Sequence, residues 1–454
     1  MARRLLVVGG DAAGMSAAST AKRALGDALE VVVLERQRWT SYSACGIPYW
    51  VAGDVPALDD LVARTPEQHR ANGIDVRTGT TATELDLDAG KVVARTPSGT
   101  ETFGYDELVI ATGAEPVSPD VPGADARGIY GVQTLADGQR LLEALQQDPQ
   151  HVVIVGAGYI GVEMAEACVR RGLETVVVGT HPTPMPTIDS DLGEQIAAEM
   201  REDGIDVRTG VTVTGFETDA DNHVRAVVTD HGTIETDLVV LGTGVRARTE
   251  LAAGAGLPTG VKGALPVDDR GLLDADRNVW AAGDCVESRH RVSGHQVYVP
   301  LGTHANKQGW VVGRNLAGGD ARFPGIVGTA MTKVVTLEIA RTGLGEQHAL
   351  DAGFDPLAVQ IDATTVAGYM PHARSMTVKV VVDRPSRRLL GAQIVGREGA
   401  ALRIDSFALA LWNEMTVDEL MMTDLGYAPP FASVWDPVQQ AARAAVSRLG
   451  PPLR

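Results

Sequence analysis

One cysteine is placed where it can do chemistry. Cys45 sits in SYSACGIPYW, and Pro48 suits the first turn of a helix that follows it. A helix N-terminus favours thiolate over thiol, and the thiolate is the species that attacks disulfides and peroxides. Cys168, on a predicted helix, and Cys285, just after a strand, read as small packed residues. Cysteines at 45, 168 and 285 make neither a disulfide framework nor a zinc site.

Two glycine turns carry the second kind of chemistry. RLLVVGGDAAGMSAASTAKR runs on to ALEVVVLER, and HVVIVGAGYIGVEMAEACVRRG to LETVVVGT. In a dinucleotide-binding turn the first glycine permits the bend, the second lets a pyrophosphate approach the backbone, and the third lets helix pack on strand. The second copy has Gly156, Gly158 and Gly161, with Tyr159 and Ile160 between them. The first has Gly9, Gly10, Ala13 and Gly14 but carries Asp11 where the second motif glycine belongs. Glu35, 21 residues after Gly14 and followed by Arg36, ends the next strand, where a carboxylate accepts hydrogen bonds from an adenosine ribose. The equivalent point of the second copy reads Gly179, Thr180, His181, with no acid to repel a 2′-phosphate, which favours NADPH over NADH. His181 also reads as a loop histidine before the turn-like PTPMP. NVWAAGDC brings Gly283 and Asp284 to the C-terminal end of a strand, the place where open α/β sheets bind ligands, and Asp284 suits a ribityl hydroxyl.

The elements that must position these residues repeat as well. Each copy is closed by a later strand, YDELVIATG through Thr112 to Gly113 and TDLVVLGTG to Gly244, and Asp106 and Asp237 each precede that last glycine by seven residues. Two Rossmann-like units follow. From about Phe323, MTVKVVVD and RLLGAQIVG flank RPSRR as an antiparallel hairpin, with apolar helix from Ile404 to Trp412. The predicted fold class is α/β: two Rossmann-like dinucleotide-binding domains plus an α+β C-terminal domain. A length of 454 residues accommodates three domains. The formal charge of -18 argues against nucleic acid or an anionic membrane as partner. No run approaches the length of a spanning helix and the N-terminus has no signal-peptide pattern, so the cytoplasm is the expected location.

GGDAAGMSAAS, SYSACGIPYW, YDELVIATGAEP, GAGYIGVEMAEA, LGTGVRART, AAGD, PLGTHANKQG, FPGIVGTAMTKV and YAPPFASVWDPV together resemble the pyridine nucleotide-disulfide oxidoreductases over essentially the full length. The closest resemblance is to their single-cysteine branch of coenzyme A disulfide reductases, NADH oxidases and NADH peroxidases. It implies an FAD-binding domain made of residues 1–118 and 246–322, with Ala305 among its cofactor contacts. It also implies an NAD(P)H-binding domain at 119–245, a C-terminal dimerisation domain at 323–454, and a homodimer in which Tyr369 and Tyr427 reach the partner's active site. Hydride would pass from nicotinamide to flavin, and electrons onward to a sulfur adduct on Cys45. The second cysteine of a two-cysteine reductase is replaced by Thr40, so Cys45 needs an external thiol or an oxygen atom.

Among the branches, Ala12 stands where oxidases and peroxidases carry a histidine, which favours a disulfide or persulfide substrate. Ser16, Thr20 and Arg23, spaced along one helix face, resemble positions that hold the pantetheine and phosphates of coenzyme A. Ser41 and Asn306 fit the same site. Ala44 in place of asparagine and Trp435 in place of lysine depart from that pattern and put the carrier group in doubt. Coenzyme A disulfide or persulfide leads. Another small disulfide, an oxidase working through a Cys45 sulfenic acid, and an electron-transfer or redox-sensing flavoprotein stay open.

Overall fold

A computed structural model describes residues 2–451. The first glycine turn belongs to a six-stranded sheet ordered Leu272–Asp274, Val279–Ala281, Glu107–Ile110, Arg3–Val8, Leu29–Leu34, Asp75–Arg77. All neighbours pair in parallel except the first two. Val279–Ala281 therefore returns from far along the chain to lie beside Glu107–Ile110, and brings Asp284 to the strand ends where Gly9 lies. The second turn belongs to a parallel sheet ordered Ile205–Thr209, Glu174–Gly179, His151–Val155, Leu238–Leu241, Ile129–Gly131. Ala114–Pro116 and Val245–Ala247 pair antiparallel where the chain leaves and re-enters the first unit.

The repeated aspartates do the same work in both units. Asp106 accepts the backbone N–H of Arg4 at 2.7 Å, and Asp237 accepts that of His151 at 2.9 Å. Each carboxylate satisfies an N–H at the start of its unit's first strand, a donor the parallel ladder does not use there.

The helix Ala12–Leu25 is rich in alanine, has Lys22 and Arg23 in its last turn against the helix dipole, and stops at Gly26 with φ 53°. It packs along Gly302–Leu316, in which a Cβ at Gly309 would stand 2.2 Å from the Ala13 carbonyl oxygen. Glycine there lets the two backbones touch, and the close approach buries Thr20 against Gly313.

The C-terminal unit is an antiparallel sheet ordered Ala330–Val334, Leu337–Gly343, Leu389–Gly396, Ser375–Asp383, Pro356–Thr364. The predicted hairpin and the helix Ile404–Trp412 are both present. Strand alternation sends Val378, Val380 and Val382 into the core with Phe407 and Ala441. The opposite face carries Thr377, Lys379 and Gln393 towards the helix Ser190–Glu202 of the second unit. Gln393 accepts from Asp189 N at 2.8 Å, and buried Lys379 pairs with Asp189 at 3.0 Å and Asp191 at 2.8 Å. Removing the ammonium would leave half-buried acids facing one another. Lys379→Met should destabilise the protein by about 3 kcal/mol, the order found for a broken buried pair, measured as the shift in a urea melt. A change within a few tenths would mean the cluster is solvent-screened.

Candidate active site

In the first turn Gly9 has φ 111°, and a Cβ on it would lie 2.0 Å from the Ala111 carbonyl oxygen. In the second, Gly156 has φ 112° and its Cβ would lie 2.2 Å from the Gly242 carbonyl oxygen. The two turns are thus copies in geometry as well as in sequence, each open only to glycine. Gly14 and Gly161 let their helices approach, and Gly158 ends as the N-cap of Tyr159–Arg170.

Around the first turn, Glu35 is buried and accepts the N–H groups of Gly10 at 2.7 Å and Gln37 at 2.6 Å. Burial raises its pKa against those two bonds. Arg36 is exposed beside it, its guanidinium lowered by partial burial and by Arg248. Thr112 donates to the Arg248 carbonyl at 2.6 Å, and Gly113 takes φ 70°. Gly283, Ala13 and Ala305 meet through small side chains, which leaves the turn uncovered. The Asp284 carbonyl accepts the Tyr298 hydroxyl at 3.0 Å, its carboxylate accepts no hydrogen bond from a described residue, and burial pushes the carboxyl pKa up to about 6. A turn that excludes a Cβ at Gly9, Gly10 and Gly14, with buried Glu35 at one end and part-buried Asp284 at the other, fits the two hydroxyl-bearing ends and the diphosphate of FAD.

Around the second turn, Ile160 is half-buried, the Tyr159 phenol is buried, and Gly244 takes φ 89°. Gly179 ends its strand with its Cα face against Ala157, Thr180 is exposed, and the His181 Nδ1 lies 3.1 Å from the Thr183 carbonyl oxygen. That contact engages the ring with its own loop.

Cys45 lies on a single turn, Ala44–Gly46, that feeds the short helix Ile47–Ala52 with Pro48 in its first turn. The segment before it is laid over the first glycine turn. Tyr42 N donates to Asp11 Oδ1 at 3.1 Å and Ser41 N to the Gly10 carbonyl at 3.4 Å. Cys45 is an exposed residue, whereas Cys168 and Cys285 are fully buried. One expectation is corrected here. The thiol pKa is raised, not lowered, by burial and then by Glu163 and Asp284. A helix of six residues offers a weak dipole, and burial of the thiol, with two carboxylates from distant parts of the chain added, outweighs it. Glu163 comes from the helix of the second turn, where it accepts the Thr332 hydroxyl at 2.7 Å, so Cys45 stands where the two units meet.

The five residues expected to hold the substrate separate. Ser16 and Asn306 share a hydrogen bond of 3.0 Å at the rim between their helices, and Arg23 is exposed at the end of the first. Thr20 does not join them, because it is buried in the helix contact. Ser41, at φ 49°, lies 3.0 Å from His69 Nε2. His69 is a residue that no motif in the sequence marks. It is buried, and desolvation followed by Arg64 lowers its pKa to about 4, so it is neutral and shares a hydrogen bond with the Ser41 hydroxyl. Tyr369 and Tyr427 adjoin each other, and the Tyr427 phenol raises the Tyr369 pKa. Both are exposed in the single chain, amid exposed Leu402, Met422, Phe431 and Val434, and no hydrogen bond links either to the Cys45 segment among the described residues. Trp435 is half-exposed under Arg443.

The family model described as pyridine nucleotide-disulphide oxidoreductase matches residues 3–309, and its dimerisation domain matches residues 329–438. The chain belongs to the pyridine nucleotide-disulphide oxidoreductase family. It is an FAD-dependent enzyme of NAD(P)H. Among similar members, the NAD(P)H coenzyme A polysulfide/persulfide reductase of Pyrococcus horikoshii is 37% identical over 98% of both chains. An NADH oxidase of Methanocaldococcus jannaschii is 35% identical over 98% of this chain and 99% of its own. The solved NAD-dependent persulfide reductase from A. fulgidus superposes with a TM-score of 0.95 at 35% identity, over 98% of this chain and 83% of that one. Among the described residues no helix is long and apolar enough to cross a membrane.

Proposed function

We propose that this oxidoreductase uses NADPH to reduce a disulfide or persulfide of coenzyme A through Cys45. The observation that carries the reading is a single exposed cysteine laid over the flavin turn, with both other cysteines buried. Bound FAD supplies two-electron chemistry between the nicotinamide and that sulfur.

The chain's residues then have definable tasks. Cys45, as thiolate, attacks one sulfur of the disulfide; the S–S bond breaks, one thiolate leaves, and Cys45 holds the other half as a mixed disulfide. Two electrons and protons release the second thiol and restore Cys45. Burial, with Glu163 and Asp284 added, raises the thiol pKa and so works against the attacking thiolate. Ser16 and Asn306 form the polar rim for the carrier with Arg23 for its phosphates, and neutral His69 fixes the Ser41 hydroxyl beside the thiol segment. Incubating the enzyme, with Cys45 as the free thiol, with coenzyme A disulfide should add the mass of one coenzyme A, less two hydrogens, to Cys45, and dithiothreitol should remove it. An enzyme that instead gains one oxygen on Cys45 in air, and no coenzyme A, works as an oxidase. The resemblance to NADH oxidases keeps that second reading in view, but Ala12 offers no proton donor at the first turn.

The same reading takes residues 1–118 with 246–322 as the FAD domain, 119–245 as the nicotinamide domain and 323–454 as the dimerisation domain. The exposed apolar patch around Tyr369, Tyr427, Phe431 and Val434 supports a homodimer in which these tyrosines serve the partner's site.

NADPH is preferred because the strand end at Gly179 bears no carboxylate. Gly179→Asp should lower the ratio of kcat/KM for NADPH to that for NADH by about tenfold or more, through repulsion of the 2′-phosphate. The ratio is the quantity to compare, since a Cβ at 179 would stand 2.9 Å from the Ala157 Cβ and so disturb both nucleotides. An unchanged ratio would take the 2′-phosphate away from this strand end.

A further inference from the structure

Asp11 is the residue of the first turn that a dinucleotide site should least want. It occupies the place held by Gly158 in the second turn, and both are extended N-cap residues, with φ −111° at Asp11 and −87° at Gly158. An aspartate at an N-cap ordinarily accepts N–H groups of its own helix. Asp11 instead turns Oδ1 to Tyr42 N at 3.1 Å, across to the segment that leads to Cys45. The charged or titratable groups facing it are Glu35 at the end of Leu29–Leu34, Asp284 beyond Val279–Ala281, and the Tyr42 and Cys45 side chains of the cysteine segment. Asp11 therefore feels the carboxylate at the ribose end and the carboxylate at the ribityl end. The diphosphate of FAD belongs between those ends, so an ionised Asp11 would be a third carboxylate meeting two more negative charges.

We propose that FAD is bound with Asp11 as the neutral carboxylic acid, so that loading the flavin takes up one proton while Asp11 holds the Cys45 segment through Tyr42. Burial, reinforced by Glu35 and Asp284, already pushes the Asp11 pKa up to about 7 against the bond from Tyr42. The diphosphate raises it further. The sign follows by linkage. Affinity for FAD is full below the pKa of the free site and falls as pH rises above it, until the pKa of the loaded site is reached. Asp284, at about 6, titrates below this window, and Cys45 and Tyr42 are displaced above their ordinary values.

The test reads flavin, not turnover. Holoenzyme is diluted at a series of pH values from about 7 to about 9, and free FAD is measured by fluorescence; one proton sets a limit of about tenfold in Kd per pH unit. Wild type should weaken several-fold or more per unit, whereas D11N, isosteric and uncharged, should be nearly flat over the same range. D11G, with the glycine of the other turn, should be flat too and guards against a folding defect in D11N. The wild-type protein gives an independent reading, because FAD released into weakly buffered solution at about pH 8 should carry close to one proton per flavin with it. Parallel profiles for wild type and both variants, or release without a proton, would overturn the proposal by showing that Asp11 takes up no proton when FAD binds. None of these outcomes depends on which disulfide the enzyme reduces.

Discussion

Cys45→Ser should lower NADPH-dependent disulfide or persulfide reduction by about 10³-fold or more, the scale on which removal of a covalent nucleophile acts. A hydroxyl neither attacks a disulfide sulfur nor holds a mixed disulfide, and no second thiol can substitute, because Cys168 and Cys285 are buried. Burial also raises both of their pKa values, to about 12 for Cys168 and about 11 for Cys285, which keeps them protonated. Reduction of bound FAD by NADPH, followed in a stopped-flow spectrometer under argon, should survive in the variant, as should transfer to ferricyanide. A variant that keeps its disulfide activity would mean that electrons reach the substrate without Cys45, as in a plain electron-transfer flavoprotein.

Gly156→Ala should have a comparable effect on the opposite half-reaction. The added Cβ meets φ 112° and a carbonyl oxygen 2.2 Å away, so the turn must open and the pyrophosphate of NADPH loses its amide cradle. The rate of FAD reduction at fixed low NADPH should fall by about 100-fold or more, the cost of a small misplacement at a positioning element. Gly9 and its surroundings are in a different sheet, so FAD content should remain near one per chain. Loss of FAD together with the NADPH rate would mean that the second turn does not serve a separate nucleotide.

These predictions separate the two units that the sequence displayed as a repeat. The repeat was legible because each copy carries its own local requirements. A strand, a glycine with positive φ, and an aspartate seven residues before the closing glycine all report on short-range geometry, as Gly9 with Asp106 and Gly156 with Asp237 do. The Met376–Gly396 hairpin is legible for the same reason, since period-two alternation and a turn are local signals. Long-range packing was not visible. Thr20 shares a polar stripe with Ser16 and Arg23, but Gly309 and Gly313 draw another helix onto it and bury it. The direction of the Cys45 pKa depends on Glu163 and Asp284, which the fold, not the sequence neighbourhood, brings to the thiol. His69 gave no sequence signal because a buried neutral histidine beside a serine has no motif. Asp11 gave one, as a departure from the glycine pattern, and its contacts with the cysteine segment turn that departure into a physical question.

Steady-state NADPH consumption by FAD-loaded enzyme reads whether Cys45 passes electrons to a coenzyme A sulfur. Consumption should be rapid under argon with coenzyme A disulfide or persulfide, slow in air without either, faster with NADPH than with NADH, and lost in Cys45→Ser. Rapid consumption in air with no disulfide present, unaffected by adding one, would contradict that transfer and make the enzyme an oxidase.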